Sequence, residues 1–105
     1  MSTLNLHPDC MKLIQKIIAE HAPHAVIWAY GSRVSGTCHE ASDLDLVLRH
    51  TGKLTTPSSA VLTLKQAFQK SDLPIFVDIM DWALLPESYQ QEITKNYVVL
   101  PEATE

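Results

Sequence analysis

The chain has 105 residues and a net charge of −4, and 46% of its residues are hydrophobic. This is enough material for a single core and too little for two, so we predict one domain over residues 1–105 without a separate substrate-binding domain. The acidic balance lacks the strongly basic footprint of a nucleic-acid-binding protein, which disfavours contact with DNA or RNA without excluding it.

Targeting and redox signals are absent from the sequence. No apolar run approaches the roughly 20 residues that span a bilayer, and the N-terminus lacks the basic region and apolar stretch of a secretory signal. Cys10 and Cys38 show no Cys-x-x-Cys spacing, so we expect reduced thiols. These features predict a cytoplasmic protein that does not associate with a membrane.

The first half of the chain predicts a helix, a strand, a short turn and a second strand. Apolar residues at helical spacing follow Pro8 and stop before Pro23. Residues 25–30 form a short β-branched and aromatic run that is typical of a buried strand. Ser32 is a candidate cap of a brief helical turn that ends near Gly36.

From Asp43 to Leu48 the residues alternate, with Asp43, Asp45 and Val47 on one face and leucines on the other, as in a half-buried strand. The other predicted elements are a helix between Pro57 and Pro74, a strand at residues 75–80, a helix from about Pro86 to Asn96 and a terminal strand at residues 97–100. This order predicts an α/β (α+β) domain with a small mixed sheet.

Two carboxylates lie close together on the second predicted strand. Asp43 and Asp45 are two residues apart, so both emerge on one face about 7 Å apart. Like charges this close repel unless a cation lies between them. Oxygen ligands of this kind suit Mg²⁺, with Mn²⁺ as the alternative, especially when substrate phosphates complete the coordination. The alternative interpretation is a solvated strand face, and the alternation alone does not exclude it.

A glycine turn follows the first strand and suggests an anion site. Gly31 is where the backbone turns tightly and leaves room for a ligand, and the amides after it are candidate anion donors. Ser32 adds a hydroxyl and Arg33 a charge for a phosphate oxygen. The alternative is an ordinary strand-to-helix turn with Ser32 as its cap. A phosphate site close to paired carboxylates favours the functional interpretation.

A third acid interrupts the next strand. Asp78 lies among apolar residues, where a lone carboxylate costs free energy unless it is paired or bound to a metal. If this strand pairs beside the strand of Asp45, Asp78 joins the same cluster. Asp81 points to the opposite face and precedes Trp82, so we predict that it caps a helix.

These residues together resemble a known family. Gly-Ser-Arg at 31–33 with Gly36, then Ser-Asp-Leu-Asp-Leu at 42–46 and Asp78, is similar to the DNA polymerase β-like nucleotidyltransferases, and to their smallest branch, the minimal nucleotidyltransferases (MNT). The resemblance spans about residues 25–100. It implies a nucleotidyltransferase fold, a small mixed sheet flanked by helices. It also implies metal-binding and catalytic roles for Asp43, Asp45 and Asp78, and triphosphate binding at Gly31 and Ser32.

The resemblance also implies a reaction and a partner. Such enzymes transfer AMP from ATP to an acceptor and release pyrophosphate, and Asp78 would lie nearest the acceptor. MNT proteins are typically paired with a helical HEPT toxin, for which they act as antitoxin by adenylylating a tyrosine, which predicts a hetero-oligomer. The alternative is a non-catalytic antitoxin that occludes its toxin and, as a complex with it, binds operon DNA. Transfer to a small molecule is disfavoured because the chain lacks an acceptor-binding domain.

Several residues depart from the family pattern or favour a structural role. Many antitoxin members carry further basic residues where this chain has Ser35 and His39, which predicts weaker triphosphate binding or help from the partner. A loop histidine in an acidic protein is more often solvated than a ligand, so we expect that for His39. Trp28 and Tyr30 are predicted to pack against the sheet rather than to stack on a base.

Overall fold

A computed structural model describes residues 6–22, 25–35, 43–49 and 60–100. Within those ranges no helix is long and apolar enough to cross a membrane. The helices are α1 (Pro8–His21), α2 (Ser32–Ser35), α3 (Ala60–Lys70) and α4 (Glu87–Lys95), and a 3₁₀ turn spans Trp82–Leu84. The strands are β1 (Val26–Tyr30), β2 (Leu44–Arg49), β3 (Val77–Asp81) and β4 (Val98–Val99).

The four described strands form one mixed sheet in the order β3-β2-β1-β4. β1 runs antiparallel to β2 and β4, whereas β2 and β3 are parallel. A parallel pair needs a crossover connection, and α3 lies in that connection. The backbone amide of Leu44 donates a hydrogen bond to the carbonyl of Phe76 at 2.9 Å. The starts of β2 and β3 therefore lie side by side.

One face of the sheet forms the main core with α1 and α3. Successive side chains of a strand point to opposite faces, and the leucines of β2 all point to this side. Ile14 of α1 and Leu64 of α3 are fully buried against them, as is Ile79 of β3. Burial of such side chains is worth roughly 1.5–3 kcal/mol each, so this layer carries much of the stability.

The opposite face carries a smaller aromatic cluster under α4 and the 3₁₀ turn. Trp28 stacks on Tyr97, with ring centroids 3.8 Å apart. The Arg49 guanidinium carbon lies 4.2 Å from the ring centroid of Trp28 and 4.0 Å from that of Trp82. Burial there lowers the pKa of Arg49, against the opposing effect of Tyr97. The predicted packing roles of Trp28 and of Tyr30, which is buried in the same cluster, are confirmed.

We expect Arg49→Ala to lower the free energy of unfolding by about 2 kcal/mol, because the substitution removes a cation held between two indole rings and the packing of its stem. Urea unfolding followed by tryptophan fluorescence measures the change. Lys95→Ala is the matched control. The Lys95 ammonium forms an ion pair with the exposed Glu92 at 2.9 Å, and such exposed pairs contribute less than about 1 kcal/mol. Equal losses in both variants would contradict the aromatic-cation account.

The α+β fold class predicted from the sequence is confirmed, with small shifts in the elements. The third strand covers 77–81 rather than 75–80, because its ladder with β2 begins at the pair Leu44 and Val77. The 3₁₀ turn was not predicted as a separate element. Asp81 does act as a cap, since its Oδ1 accepts the amide of Ala83 at 3.0 Å. Pro57, Gly36 and Cys38 lie outside the described residues.

Candidate active site

Three side chains form a lateral row across β1, β2 and β3. Tyr30 pairs with Asp45, and Asp45 pairs with Asp78. In-register residues of neighbouring strands project from the same face of a sheet, with strands about 4.8 Å apart. Asp43 precedes β2, two residues before Asp45, and is exposed. The predicted pairing that brings Asp78 beside Asp45 is confirmed. We call Asp43, Asp45 and Asp78 the acidic site.

The negative charges of the acidic site repel one another at Asp45. Burial raises the pKa of Asp45 above its ordinary value of 3.8, and the charges of Asp78 and Asp43 raise it further. The charges of Asp78 and Asp43 are therefore close enough to disfavour the charged form of Asp45. A divalent cation would remove this penalty, and the all-oxygen donor set suits Mg²⁺ or Mn²⁺.

The three carboxylates of the acidic site are near one another but do not converge on a single point. In the described parts of the chain, no three His, Cys, Asp or Glu side chains converge closely enough to hold a metal ion together. Asp45 is half-buried and Asp43 is exposed, so Asp43 is the ligand free to turn toward a cation. The donors fit the metal, and side-chain rotation is needed to complete its coordination.

Gly31 packs directly against the acidic site. Its φ is +83°, a left-handed conformation that residues with a Cβ rarely adopt. A Cβ at this position would run into Oδ2 of Asp45 and lie 3.3 Å from the Asp45 Cγ. The amide of Val34 donates to the Gly31 carbonyl at 3.0 Å, which closes the turn into α2. The tight turn predicted at Gly31 is confirmed, and it borders the carboxylate.

The other predicted phosphate-binding residues are placed only in part. Arg33 is 6% exposed, so its side chain lies in the interior rather than on the surface of the turn. The side chains of Ser32 and Ser35 lie outside what the structure describes, and so does the whole of His39. Phosphate contacts by Ser32 and Arg33 stay predictions.

Tyr30 lies beside the acidic site and packs against Tyr89, and we call these two residues the tyrosine pair. Sequence reasoning did not predict this arrangement. The two rings meet edge to face, with centroids 6.1 Å apart and planes at 90°. Burial raises the pKa of Tyr30, as do its hydrogen bond to Tyr89 and the charges of Asp45 and Asp78. Strand parity could have placed Tyr30 on the acidic face, but its register with Asp45 depends on turn geometry that hydrophobic alternation does not reveal.

A groove of about 430 Å³ lies between α1 and α3, lined in part by Lys16, Glu20 and Lys70. These helices cover the main-core face of the sheet, whereas Asp45 and Asp78 share the opposite face with Tyr30. The groove is therefore separate from the acidic site, which lies at the open edge where β1 ends and β2 and β3 begin.

We expect Asp45→Asn to stabilise the metal-free protein in a pH-dependent way. The folded-state pKa of Asp45 is raised, so the folded protein binds this proton more tightly than the unfolded chain does. The free energy of unfolding then falls as pH rises from 3.8 through the folded pKa. Asparagine lacks this titration, so its stability advantage should grow over that window and persist at neutral pH.

Urea unfolding in EDTA across this pH range, for wild type and Asp45→Asn, measures the difference. Adding Mg²⁺ should shrink the advantage, because a bound cation offsets the repulsion. If the difference in the free energy of unfolding between the two proteins did not change with pH, the raised pKa of Asp45 would be contradicted.

The turn, the paired acids and the mixed sheet define the class of this protein. The sequence matches the family described as Polymerase beta, Nucleotidyltransferase over residues 12–105, and the chain belongs to that family. It is 36% identical over 99 residues to a Haemophilus influenzae protein named Probable protein adenylyltransferase MntA, an alignment that covers 94% of this chain and 85% of the relative.

Solved structures share the fold. One, described as a toxin-antitoxin with AMP-PNP, is 25% identical with a TM-score of 0.66, and the match covers 91% of this chain and 75% of that chain. Another, the toxin-antitoxin MntA-HepT, is 19% identical with a TM-score of 0.62 over 92% of this chain and 74% of that chain. The predicted nucleotidyltransferase fold and enzyme class are thereby confirmed.

Proposed function

We propose that this chain transfers AMP from ATP to a tyrosine of a HEPT-type toxin and acts as its antitoxin. The observation that carries the proposal is the packing of the Gly31 turn against Asp45, with Asp78 in register beside it. That arrangement puts a candidate phosphate site next to paired carboxylates. The relative named as a probable protein adenylyltransferase and the similar structure with AMP-PNP support adenylyl transfer and ATP as the donor.

The residues divide between binding the nucleotide and handling the acceptor. Asp43, Asp45 and Asp78 would hold Mg²⁺, or Mn²⁺, and the exposed glycine turn would receive the triphosphate, because a residue without a Cβ lets the backbone lie directly against Asp45. The bound metal would neutralise charge on the α-phosphate and on the departing pyrophosphate. Ser32 would add a further phosphate contact, and the buried Arg33 would have to turn outward to add another.

The acceptor step follows from the position of Asp78. The tyrosine oxygen attacks the α-phosphorus, the bond to the bridging oxygen of pyrophosphate breaks, and pyrophosphate leaves with the electron pair. Asp78, on the outer strand of the described sheet, is placed to take the phenol proton at one carboxylate oxygen and to orient the acceptor. Asp45, which is in register with Asp78, would hold the metal that binds the nucleotide.

The partner completes the site. We propose that the toxin presents the acceptor tyrosine to the acidic site in a hetero-oligomer of the two proteins. The similar structures described as toxin-antitoxin assemblies support this arrangement. A cytoplasmic location, and operon DNA as the one nucleic-acid partner, stay predictions.

Mass spectrometry of the HEPT partner, after incubation with this protein, ATP and Mg²⁺, tests the proposal. We expect a mass increase of one or more AMP units on a tyrosine, which the double variant Asp43→Ala/Asp45→Ala abolishes. Asp72→Ala is the matched control, because this exposed acid lies after α3 and away from the site. A stable complex with no mass increase would instead favour the non-catalytic antitoxin.

A further inference from the structure

Tyr89 is an exposed phenol that the proposed function leaves unused. It lies on α4 and is 45% exposed, whereas its neighbour Tyr30 is 7% exposed. The third tyrosine of the chain, Tyr97, stacks on Trp28 in the aromatic cluster. Tyr89 is therefore the solvent-exposed member of the tyrosine pair.

The tyrosine pair connects Tyr89 to the acidic site. The Tyr30 ring lies 6.1 Å from the Tyr89 ring, centroid to centroid, and Tyr30 is the in-register neighbour of Asp45. Only one strand spacing, about 4.8 Å, separates Tyr30 from Asp45. Gly31, where the triphosphate is proposed to bind, directly follows Tyr30. A single residue, Tyr30, therefore links Tyr89 both to Asp45 and to the turn where the triphosphate is proposed to bind.

We propose that Tyr89 is a self-modification site that accepts AMP from ATP bound at the chain's own acidic site; this inference rests on the proposed function. The Tyr89 Oη forms a bond to the α-phosphorus, and the bond from that phosphorus to the bridging oxygen of pyrophosphate breaks. Pyrophosphate leaves with the electron pair. The phenol proton passes to a carboxylate of the acidic site and then to water.

Geometry selects Tyr89 as an acceptor within its own chain. The ring is held edge to face against Tyr30, the in-register neighbour of Asp45, so Tyr89 is kept near the acidic site by packing rather than by a flexible segment. Tyr30 itself is too buried for its hydroxyl to act as the acceptor. The reaction is therefore intramolecular, and its first-order rate is independent of protein concentration.

The purified full chain, incubated without partner in Mg²⁺ and ATP radiolabelled at the α-phosphate, tests this inference. We expect label on the protein, mapped to Tyr89 by mass spectrometry of wild-type peptides, at a rate that dilution does not change. Tyr89→Phe should lose the label and Tyr97→Phe, the matched control, should keep it. Label at another residue, or a rate that rises with protein concentration, would overturn the inference.

A parallel incubation with the HEPT partner separates the two proposals. Label on the partner with none on this chain overturns self-modification and leaves the proposed function standing. Absence of label from both proteins overturns both. Because the wild-type peptide map needs no substitution, a folding defect in Tyr89→Phe would not prevent the decision.

Discussion

Asp45→Asn is expected to lower the rate of AMP transfer to the toxin at least about 100-fold, the scale on which a single electrostatic group in an active site acts. The substitution keeps the shape of the side chain and removes the charge that would hold Mg²⁺ against the triphosphate. It also removes a carboxylate whose pKa is raised by burial and, further, by the charges of Asp78 and Asp43. The variant should therefore be inactive and at least as stable as wild type.

Initial rates with saturating ATP and Mg²⁺, together with thermal unfolding of the same samples, measure both effects. Asp72→Asn removes an equal charge from an exposed position after α3 and should change neither. An inactive variant that is also unfolded would not support a chemical role for Asp45. Full activity in a folded Asp45→Asn variant would remove Asp45 from the site.

Gly31→Ala is expected to destabilise the fold by about 2 kcal/mol and to abolish transfer. The left-handed φ of +83° alone costs about 1–2 kcal/mol for a residue with a Cβ. The added methyl group also collides with Oδ2 of Asp45, which pushes the carboxylate out of line with Asp78. Urea unfolding and the transfer assay measure the two losses separately.

A double-mutant cycle with Asp45→Ala separates backbone strain from side-chain collision. In the truncated background the carboxylate is gone and the Asp45 Cβ lies 3.4 Å from the new methyl group, which is ordinary contact. We expect Gly31→Ala to cost less there by about 0.5–3 kcal/mol, the usual range of coupling between contacting residues. Equal costs in both backgrounds would mean that Gly31 is needed for its φ alone.

The parts of the sheet that local sequence patterns determine could be predicted: the alternation of apolar residues and the positions of turn residues indicated the same strands. Alternation from Asp43 to Leu48 placed Asp45 on the face opposite the leucines, and the structure confirms this. Asp81 was assigned as a cap from strand parity alone, and its Oδ1 does accept the amide of Ala83. Such features depend on near neighbours in the chain, which a sequence displays directly.

Features that depend on contacts between distant segments were not predictable. The third strand begins at Val77 because β2 offers its first ladder partner at Leu44, which no local pattern encodes. The placement of Arg49 against Trp28 and Trp82 needs β1, the end of β2 and the 3₁₀ turn to pack together. Tyr89 reaches Tyr30 only through the docking of α4. The acids of the site could be named from sequence, but not the tyrosines beside them.

The most direct test of the account is growth of cells that express the HEPT toxin together with this protein or its Asp45→Asn variant. Co-purification shows in the same cells whether each form binds the toxin. The account predicts that wild type restores growth and that Asp45→Asn binds the toxin but does not restore growth. Restored growth by the bound variant would contradict a catalytic antitoxin and leave toxin binding as the function.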